Sequence, residues 1–312
     1  MSFTSDVKQE VSLNKPENDE ARAELSALIK MTSSISISSR GMALAVETEN
    51  GPVSRAVYRL MKDLYSVDIE PSVRRRMNLN KNLIYSMKIY GPVREILEDL
   101  GLYSSRGLRD RPLQKIVAKD SCARAYLAGA FMADGSVNSP QTSSYHLEIK
   151  CTTAEFAEFI IDLMGRFYIP ARQIERRGKH VVYIKAAEKI GDFLRCIGAV
   201  QCLMEFENER ISRDFANNVQ RLNNVDVANE VKSMKAAGKQ LEDIAVLEEY
   251  DMIRNLDEKL RDIVELRKEN PEATLNELSE LYRIKTGSVV SKSGMKHRFV
   301  RIHEMAEKAR NR

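Results

Sequence analysis

The sequence predicts an α+β domain made of two similar halves, followed by a domain that contains only helices. In the first part of the chain, strand-like runs alternate with amphipathic helices. Beyond Gly198 the strand pattern stops and helical spacing continues to the end. A chain of 312 residues is long enough for two or three domains with hydrophobic cores.

An internal repeat relates the two halves of the first domain. The run ARAELSALIKMTSSISI begins at Ala21, and the similar run ARAYLAGAFMADGSVNS begins at Ala123. Further pairs follow in the same order: RLMKDLY with DLMGRFY, Arg75-Arg76 with Arg176-Arg177, and REILEDLGL with GDFLRCIGA. Any two α+β segments share some leucines, but several matches in one order favour duplication over coincidence.

The second repeat shows the order of elements within each half. After a first apolar helix, strand-like alternation covers residues 145–151 and 180–186, and a helix over 155–167 lies between them. We therefore expect a pseudo-symmetric domain over residues 1–210, with repeats at about 21–110 and 123–200. A helical linker over 211–240 and an all-helical domain over 241–312 complete the predicted organisation.

Composition excludes several classes of protein. No apolar run approaches the roughly 20 residues that a membrane span needs, and the polar, acidic N-terminus does not resemble a secretory signal. The four cysteines form no C-x-x-C pair and the four histidines lack ligand spacing. We therefore expect reduced thiols, no zinc and no resident cofactor in a cytoplasmic protein.

The first helix of each repeat carries small residues on one face. In the second repeat these are Ala125, Gly129 and Ala133, at a spacing that lets two helix backbones approach closely. The corresponding face of the first repeat carries Ala23, Ala27 and Met31. A close pair of these helices would bring the ends of both, at Thr32 and Asp134, to one place.

The run LAGAFMADG resembles the LAGLIDADG motif of homing endonucleases, and LSALIKMTS is a weaker second copy. The resemblance implies that Asp134 binds a divalent metal over the scissile phosphates. Cleavage by two metals needs an acid from each helix, whereas Thr32 occupies the position of the second acid. One carboxylate could still recruit Mg²⁺ weakly. We expect no catalytic residue: Asp134 is vestigial or caps the helix with Gly135 in the left-handed conformation.

Arginines in both repeats are candidates for contacts with DNA phosphates. An endonuclease-type sheet would meet DNA through such side chains. Arginines in turns are often only solvated, and the sequence does not favour either interpretation. The candidates are Arg74, Arg75, Arg76, Arg176 and Arg177.

Positive charge is concentrated at the C-terminus. The chain has a net charge of +4, but residues 283–312 alone contain nine Lys and Arg against two Glu. This distribution indicates a polyanionic partner.

Two short helices near the C-terminus predict a helix-turn-helix. Thr274 and Glu277 form the T-x-x-E pattern of a capping box, and Gly287 interrupts the helix that follows. The next helix should begin between Ser288 and Ser293. It should bury Met295, Phe299, Ile302 and Ala306.

The start of that last helix holds the predicted DNA-binding residues, since these positions enter a major groove in this motif. Lys292, Arg298 and Arg301 suit phosphate contacts. Ser293, Lys296 and His297, after Ser291, suit contacts with base edges. A basic helix could equally bind an acidic protein or a membrane surface, but the capped leucine helix before it favours double-stranded DNA.

A second resemblance covers nearly the whole chain. MSFTSDVKQE, ARAELSALI, LAGAFMADGSVN with SYHLEI, QRLNNVDVANE and SKSGMKHRF occur in this order and resemble the WhiA family of bacterial transcription regulators. The resemblance implies a degenerate LAGLIDADG domain joined to a helix-turn-helix. It also implies a cytoplasmic, nucleoid-associated regulator of sporulation or cell division that binds promoter DNA and is not an enzyme. Another regulator or RNA polymerase is a possible protein partner.

Two rival hypotheses stay open at this point. One is a metal-dependent DNA endonuclease or nickase that uses Asp134. The other is an interaction scaffold that binds a protein partner through its first domain.

Overall fold

Two copies of a helix-and-sheet unit make up the first part of the chain, Met1–Arg213, and a helical second unit covers Asp214–Arg312. The computed structural model describes residues 2–38, 41–75, 83–142 and 144–311. The first copy contains α1 (Phe3–Ser12), α2 (Asn18–Thr32), β1 (Ser33–Ser38), β2 (Gly41–Thr48), α3 (Gly51–Leu64), β3 (Asp68–Arg75), β4 (Leu83–Tyr90), α4 (Val93–Asp99), β5 (Tyr103–Ser104) and β6 (Gly107–Leu108). The second contains α5 (Asp120–Asp134), β7 (Gly135–Val137), β8 (Leu147–Cys151), α6 (Ala154–Gly165), β9 (Arg172–Arg176), β10 (Lys179–Ile184) and α7 (Ala187–Cys196).

The sheets confirm that the two copies are related. The strand order is β1-β2-β4-β3 in one sheet and β7-β8-β10-β9 in the other, so each sheet places its first, second, fourth and third strands side by side. All pairings are antiparallel. The predicted α+β fold of two repeats is therefore confirmed.

Helices α2 and α5 pack against each other along the small residues predicted for this contact. A Cβ atom on Gly129 would lie 2.3 Å from the carbonyl oxygen of Glu24 and 3.0 Å from the Cβ of Ala27. Only glycine fits at this crossing, because any side chain would push the helix backbones apart. The contact brings the C-terminal ends of both helices together.

Gly135 does not take the left-handed conformation, so the prediction of a left-handed cap after Asp134 is wrong. Its backbone is extended (φ −89°, ψ 153°), because the chain passes directly from α5 into β7. Glycine is required there for lack of space. A Cβ would lie 2.4 Å from Cδ2 of Phe131 and 2.6 Å from the carbonyl oxygen of that residue.

The core of the first unit is shared by both repeats and by α1. Phe3, Val7 and Val11 of α1 are buried in it. The ring of Phe3 stacks on Phe206, with centroids 6.3 Å apart. The four cysteines are free thiols, and all but the half-buried Cys196 are buried.

The second unit is helical throughout its described residues. It contains the greater part of α8 (Val200–Glu249), a 3₁₀ turn (Ile253–Asn255), α9 (Glu258–Glu269), α10 (Leu275–Thr286) and α11 (Lys292–Arg310). Residues 211–240 lie within α8. No helix in the part of the chain that the structure describes is long and apolar enough to cross a membrane.

The ends of α10 and α11 agree with the sequence prediction. The Thr274 hydroxyl accepts a hydrogen bond from the Glu277 backbone at 3.3 Å, and a Glu277 carboxylate oxygen accepts one from the Thr274 backbone at 2.7 Å. Gly287 ends α10 in the left-handed region, with φ 72°. The core of this unit includes the four residues predicted from α11: Met295, Phe299, Ile302 and Ala306.

Candidate nucleic-acid interface

The first half of α11 presents an exposed face that carries most of the residues predicted to bind DNA. The opposite face buries Met295 and Phe299 against the rest of the unit. The Ser291 hydroxyl accepts a hydrogen bond from the Gly294 backbone at 3.1 Å and caps the helix. The exposed face contains Lys292, Ser293, Lys296, His297 and Arg301.

Much of the basic charge near the C-terminus is neutralised by acids of the same unit. The pairs are Arg283–Glu280, Lys285–Glu265, Arg301–Asp257 and Arg310–Asp243. By contrast, Lys292 and Lys296 form no salt bridge with any residue that the structure describes. The uncompensated charge therefore lies at the start of α11, where the helix dipole also attracts anions.

Arg298 is placed differently from the other candidates. Its guanidinium lies over the ring of the buried Tyr282, with Cζ 4.8 Å from the ring centroid. Its Nη1 is buried and has no hydrogen-bond partner among the described residues. Arg298 thus contributes to the packing of α11 on α10.

The ends of α2 and α5 meet at an open cavity of about 850 Å³ in the first unit, as the repeat predicts. Thr32 and Asp134 both line it. The Thr32 hydroxyl is directed back along its helix, since it donates to the carbonyl oxygen of Leu28 at 2.7 Å. Glu47 and Glu49 also line the cavity. Sequence comparison of the two motifs does not indicate these acids, because they follow the motif on β2 and in the loop after it.

Lysines surround the Asp134 carboxylate. The Lys179 Nζ lies 3.4 Å from Asp134 Oδ2, and Lys8 of α1 lines the same cavity. Burial lowers the pKa of Lys8 to about 8, against the opposing effect of the Asp134 carboxylate. A metal site of the endonuclease type would need oxygen ligands from both helices. With Thr32 on the partner helix and ammonium groups beside Asp134, the residues present do not fit such a site.

The candidate arginines lie at edge strands of the two sheets. Arg74 and Arg75 are exposed on β3, and Arg74 pairs with Glu47 at 2.8 Å. Arg176 is exposed on β9, and Arg177 stands in the hairpin that follows, with φ 52°. Their positions are related by the repeat. Arg76 lies outside the described residues.

A cluster in the second unit was missed by sequence reasoning. His303 Nδ1 lies 2.8 Å from Asp243 Oδ2, and Glu307 is the third member of the one group of three potential metal ligands among the described residues. The Arg310 guanidinium already pairs with both carboxylates. We interpret the cluster as an ion-pair network that fixes α11 to α8. The spacing of His303, Glu307 and Arg310 on one helical face was the available signal.

Sequence models of three protein domains match the chain in order. They are the WhiA N-terminal LAGLIDADG-like domain at residues 18–103, the WhiA LAGLIDADG-like domain at 123–216 and the WhiA C-terminal HTH domain at 219–306. Together they cover most of the chain.

Curated relatives match over the full length. The chain is 42% identical over 311 residues to the "Probable cell division protein WhiA" of Staphylococcus saprophyticus, covering 100% of this chain and 98% of that protein. The protein of the same name from Lysinibacillus sphaericus is also 42% identical over 311 residues, covering 99% and 98%.

The structural comparison agrees with these matches. The crystal structure of full-length DUF199/WhiA from Thermatoga maritima aligns with a TM-score of 0.60 at 25% identity, covering 99% of both chains. The fold and the domain matches define a two-repeat LAGLIDADG-like domain joined to a C-terminal helix-turn-helix domain. At 42% identity over its full length to curated members, the chain belongs to the WhiA family.

Proposed function

We propose that this protein is a sequence-specific transcription regulator of sporulation or cell division that binds promoter DNA mainly through α11. The observation that carries the proposal is the exposed face at the start of this helix, where Lys292 and Lys296 have no acidic partner among the described residues. Unpaired cations at a helix N-terminus attract phosphate, and the first turns of a recognition helix reach base edges.

Each residue of this face is given a role by its chemistry. Lys292 and Arg301 contact phosphates, because charge and reach suffice for that role. Ser293, Lys296 and His297 contact base edges, and Ser291 orients the first turn through its cap. Arg298, which packs on Tyr282, holds the helix at its angle and directs its remaining nitrogens to a phosphate.

The test compares two double variants of equal charge. Lys292→Ala with Lys296→Ala should weaken binding to promoter fragments and lower the slope of log K against log salt by about 2, since each lost phosphate contact contributes about 0.9. The matched control replaces Lys259 and Lys308, which are exposed elsewhere in the same unit. The proposal is wrong if both double variants bind with the same affinity and salt dependence.

We further propose that the first unit does not cleave DNA and that Arg74, Arg75, Arg176 and Arg177 add phosphate contacts. The lysines beside Asp134 support this part of the proposal. Supercoiled plasmid incubated with the protein and Mg²⁺ or Mn²⁺ should stay intact. Nicking that disappears in an Asp134→Asn variant would instead establish the rival nuclease.

The proposed location is the nucleoid, in the cytoplasm. A scaffold that acts through a protein partner alone would differ in one respect. Its partner, whether another regulator or RNA polymerase, would co-purify after nuclease treatment, and binding would not depend on Lys292 or Lys296.

A further inference from the structure

Helix α1 is fixed across the end of α5. The Thr4 hydroxyl donates to the carbonyl oxygen of Val137 at 2.7 Å and accepts from its backbone N–H at 2.9 Å. At the other end of α1, the Glu10 carboxylate accepts from the backbone N–H groups of Gln201 and Cys202, at 2.7 and 2.9 Å. Bonds at both ends hold the helix in one position over the strand that follows Asp134.

This position brings Lys8 into the cavity at Asp134. Lys8 lies one turn after Thr4 on the same face of α1, so the bonds from Thr4 to β7 direct Lys8 toward the end of α5. Lys8 is half-buried and lines the cavity together with Asp134. A cation in such a place needs an anionic partner.

A second ammonium group approaches Asp134 from the sheet. Lys179 stands at the start of β10, and its Nζ lies 3.4 Å from Asp134 Oδ2. Asp134 thus faces two ammonium groups on separate elements, while its counterpart Thr32 donates its hydroxyl to its own helix.

We propose that the ammonium groups of Lys8 and Lys179 have taken the place of a divalent cation at Asp134, so that the cavity contains an internal ion-pair site. A metal ion would have to enter a site where the nearest charges are already positive, and Coulomb repulsion opposes it. The inference rests on the proposed absence of cleavage in the first unit. It names the groups that replace the metal.

The experiment restores the missing acid and then removes the lysines, using the full-length chain. Thr32→Asp supplies a carboxylate from the partner helix. In that background, Lys8→Met and Lys179→Met remove both charges while keeping the apolar stems. Mn²⁺ binding is measured by electron paramagnetic resonance and titration calorimetry, and circular dichroism confirms the fold.

We expect Mn²⁺ to bind at least about tenfold more tightly when the lysines are replaced than with Thr32→Asp alone. The gain should disappear when Asp134→Asn is added. Lys185→Met in the Thr32→Asp background is the matched control, because Lys185 does not line the cavity. It should leave Mn²⁺ affinity unchanged.

Two results would overturn the inference. One is equal Mn²⁺ affinity with and without the lysines, and the other is no binding by the folded variant that lacks them. If Lys8→Met prevents folding, the exposed Lys179→Met alone gives a smaller gain or refutes the idea by giving none. DNA binding by α11 is measured without divalent ions, so failure of the proposed function would be seen separately.

Discussion

The contact between α2 and α5 makes a specific prediction about Gly129. In Gly129→Ala the added Cβ would lie 2.3 Å from the carbonyl oxygen of Glu24, whereas ordinary contacts begin at 3.4 Å. The helices must therefore separate by about 1 Å, and overpacking of this kind costs about 1–3 kcal/mol. The higher helix propensity of alanine returns about 1 kcal/mol. Because the clash is with backbone, we expect a net loss of about 2 kcal/mol in the free energy of unfolding.

Urea unfolding followed by circular dichroism measures this loss, and hydrogen exchange of the α5 amides shows where it occurs. Gly165→Ala is the matched control, because Gly165 ends helix α6 and a Cβ there meets nothing within 4 Å. It should leave stability unchanged or raise it slightly. A Gly129→Ala protein as stable as the control would refute the close packing of the two helices.

Two further predictions concern buried charged groups. Glu24 is 2% exposed, and burial raises its pKa from 4.5 to about 8. The unfolded chain therefore loses this proton first, and stability falls as pH rises from 4.5 to about 8. Glu24→Gln should remove a fall on the order of 3 kcal/mol, measured as urea midpoints at about pH 5 and 8; an unchanged pH dependence would contradict this. Arg267 is 1% exposed and donates to the carbonyl oxygens of Asn270, Pro271 and Ala273. Arg267→Met should lower the stability of the second unit by about 3 kcal/mol in thermal unfolding, and the exposed Arg261→Met by less than about 1 kcal/mol; equal losses would count against this role.

Local patterns in the sequence were sufficient for much of the fold. The repeat predicted two sheets of the same topology, because duplicated segments keep their order of elements. The T-x-x-E pattern at Thr274 and the break at Gly287 predicted the ends of α10, since caps depend on neighbouring residues only. The small residues around Gly129 predicted a close helix crossing for the same reason.

Contacts between distant segments could not be predicted in this way. Lys8 and Asp134 are far apart in the chain, and only the packing of α1 beside β7 brings them to one cavity. Arg298 was predicted as a phosphate contact from its charge, but its place over Tyr282 depends on the angle between α10 and α11. Gly135 shows a related limit: the sequence indicated a need for glycine, and the reason is lack of space beside α5.

The central claim is that α11 reads DNA sequence through Ser293, Lys296 and His297. Its most direct test is the selection of bound fragments from the organism's own genome by the full-length protein, compared with Lys296→Ala and His297→Ala variants. The account predicts a shared motif for the parent protein. In the variants, preference should relax at individual base pairs by about 1–3 kcal/mol each. The same motif with the same preferences in all three proteins would contradict the assignment of α11 as the recognition helix.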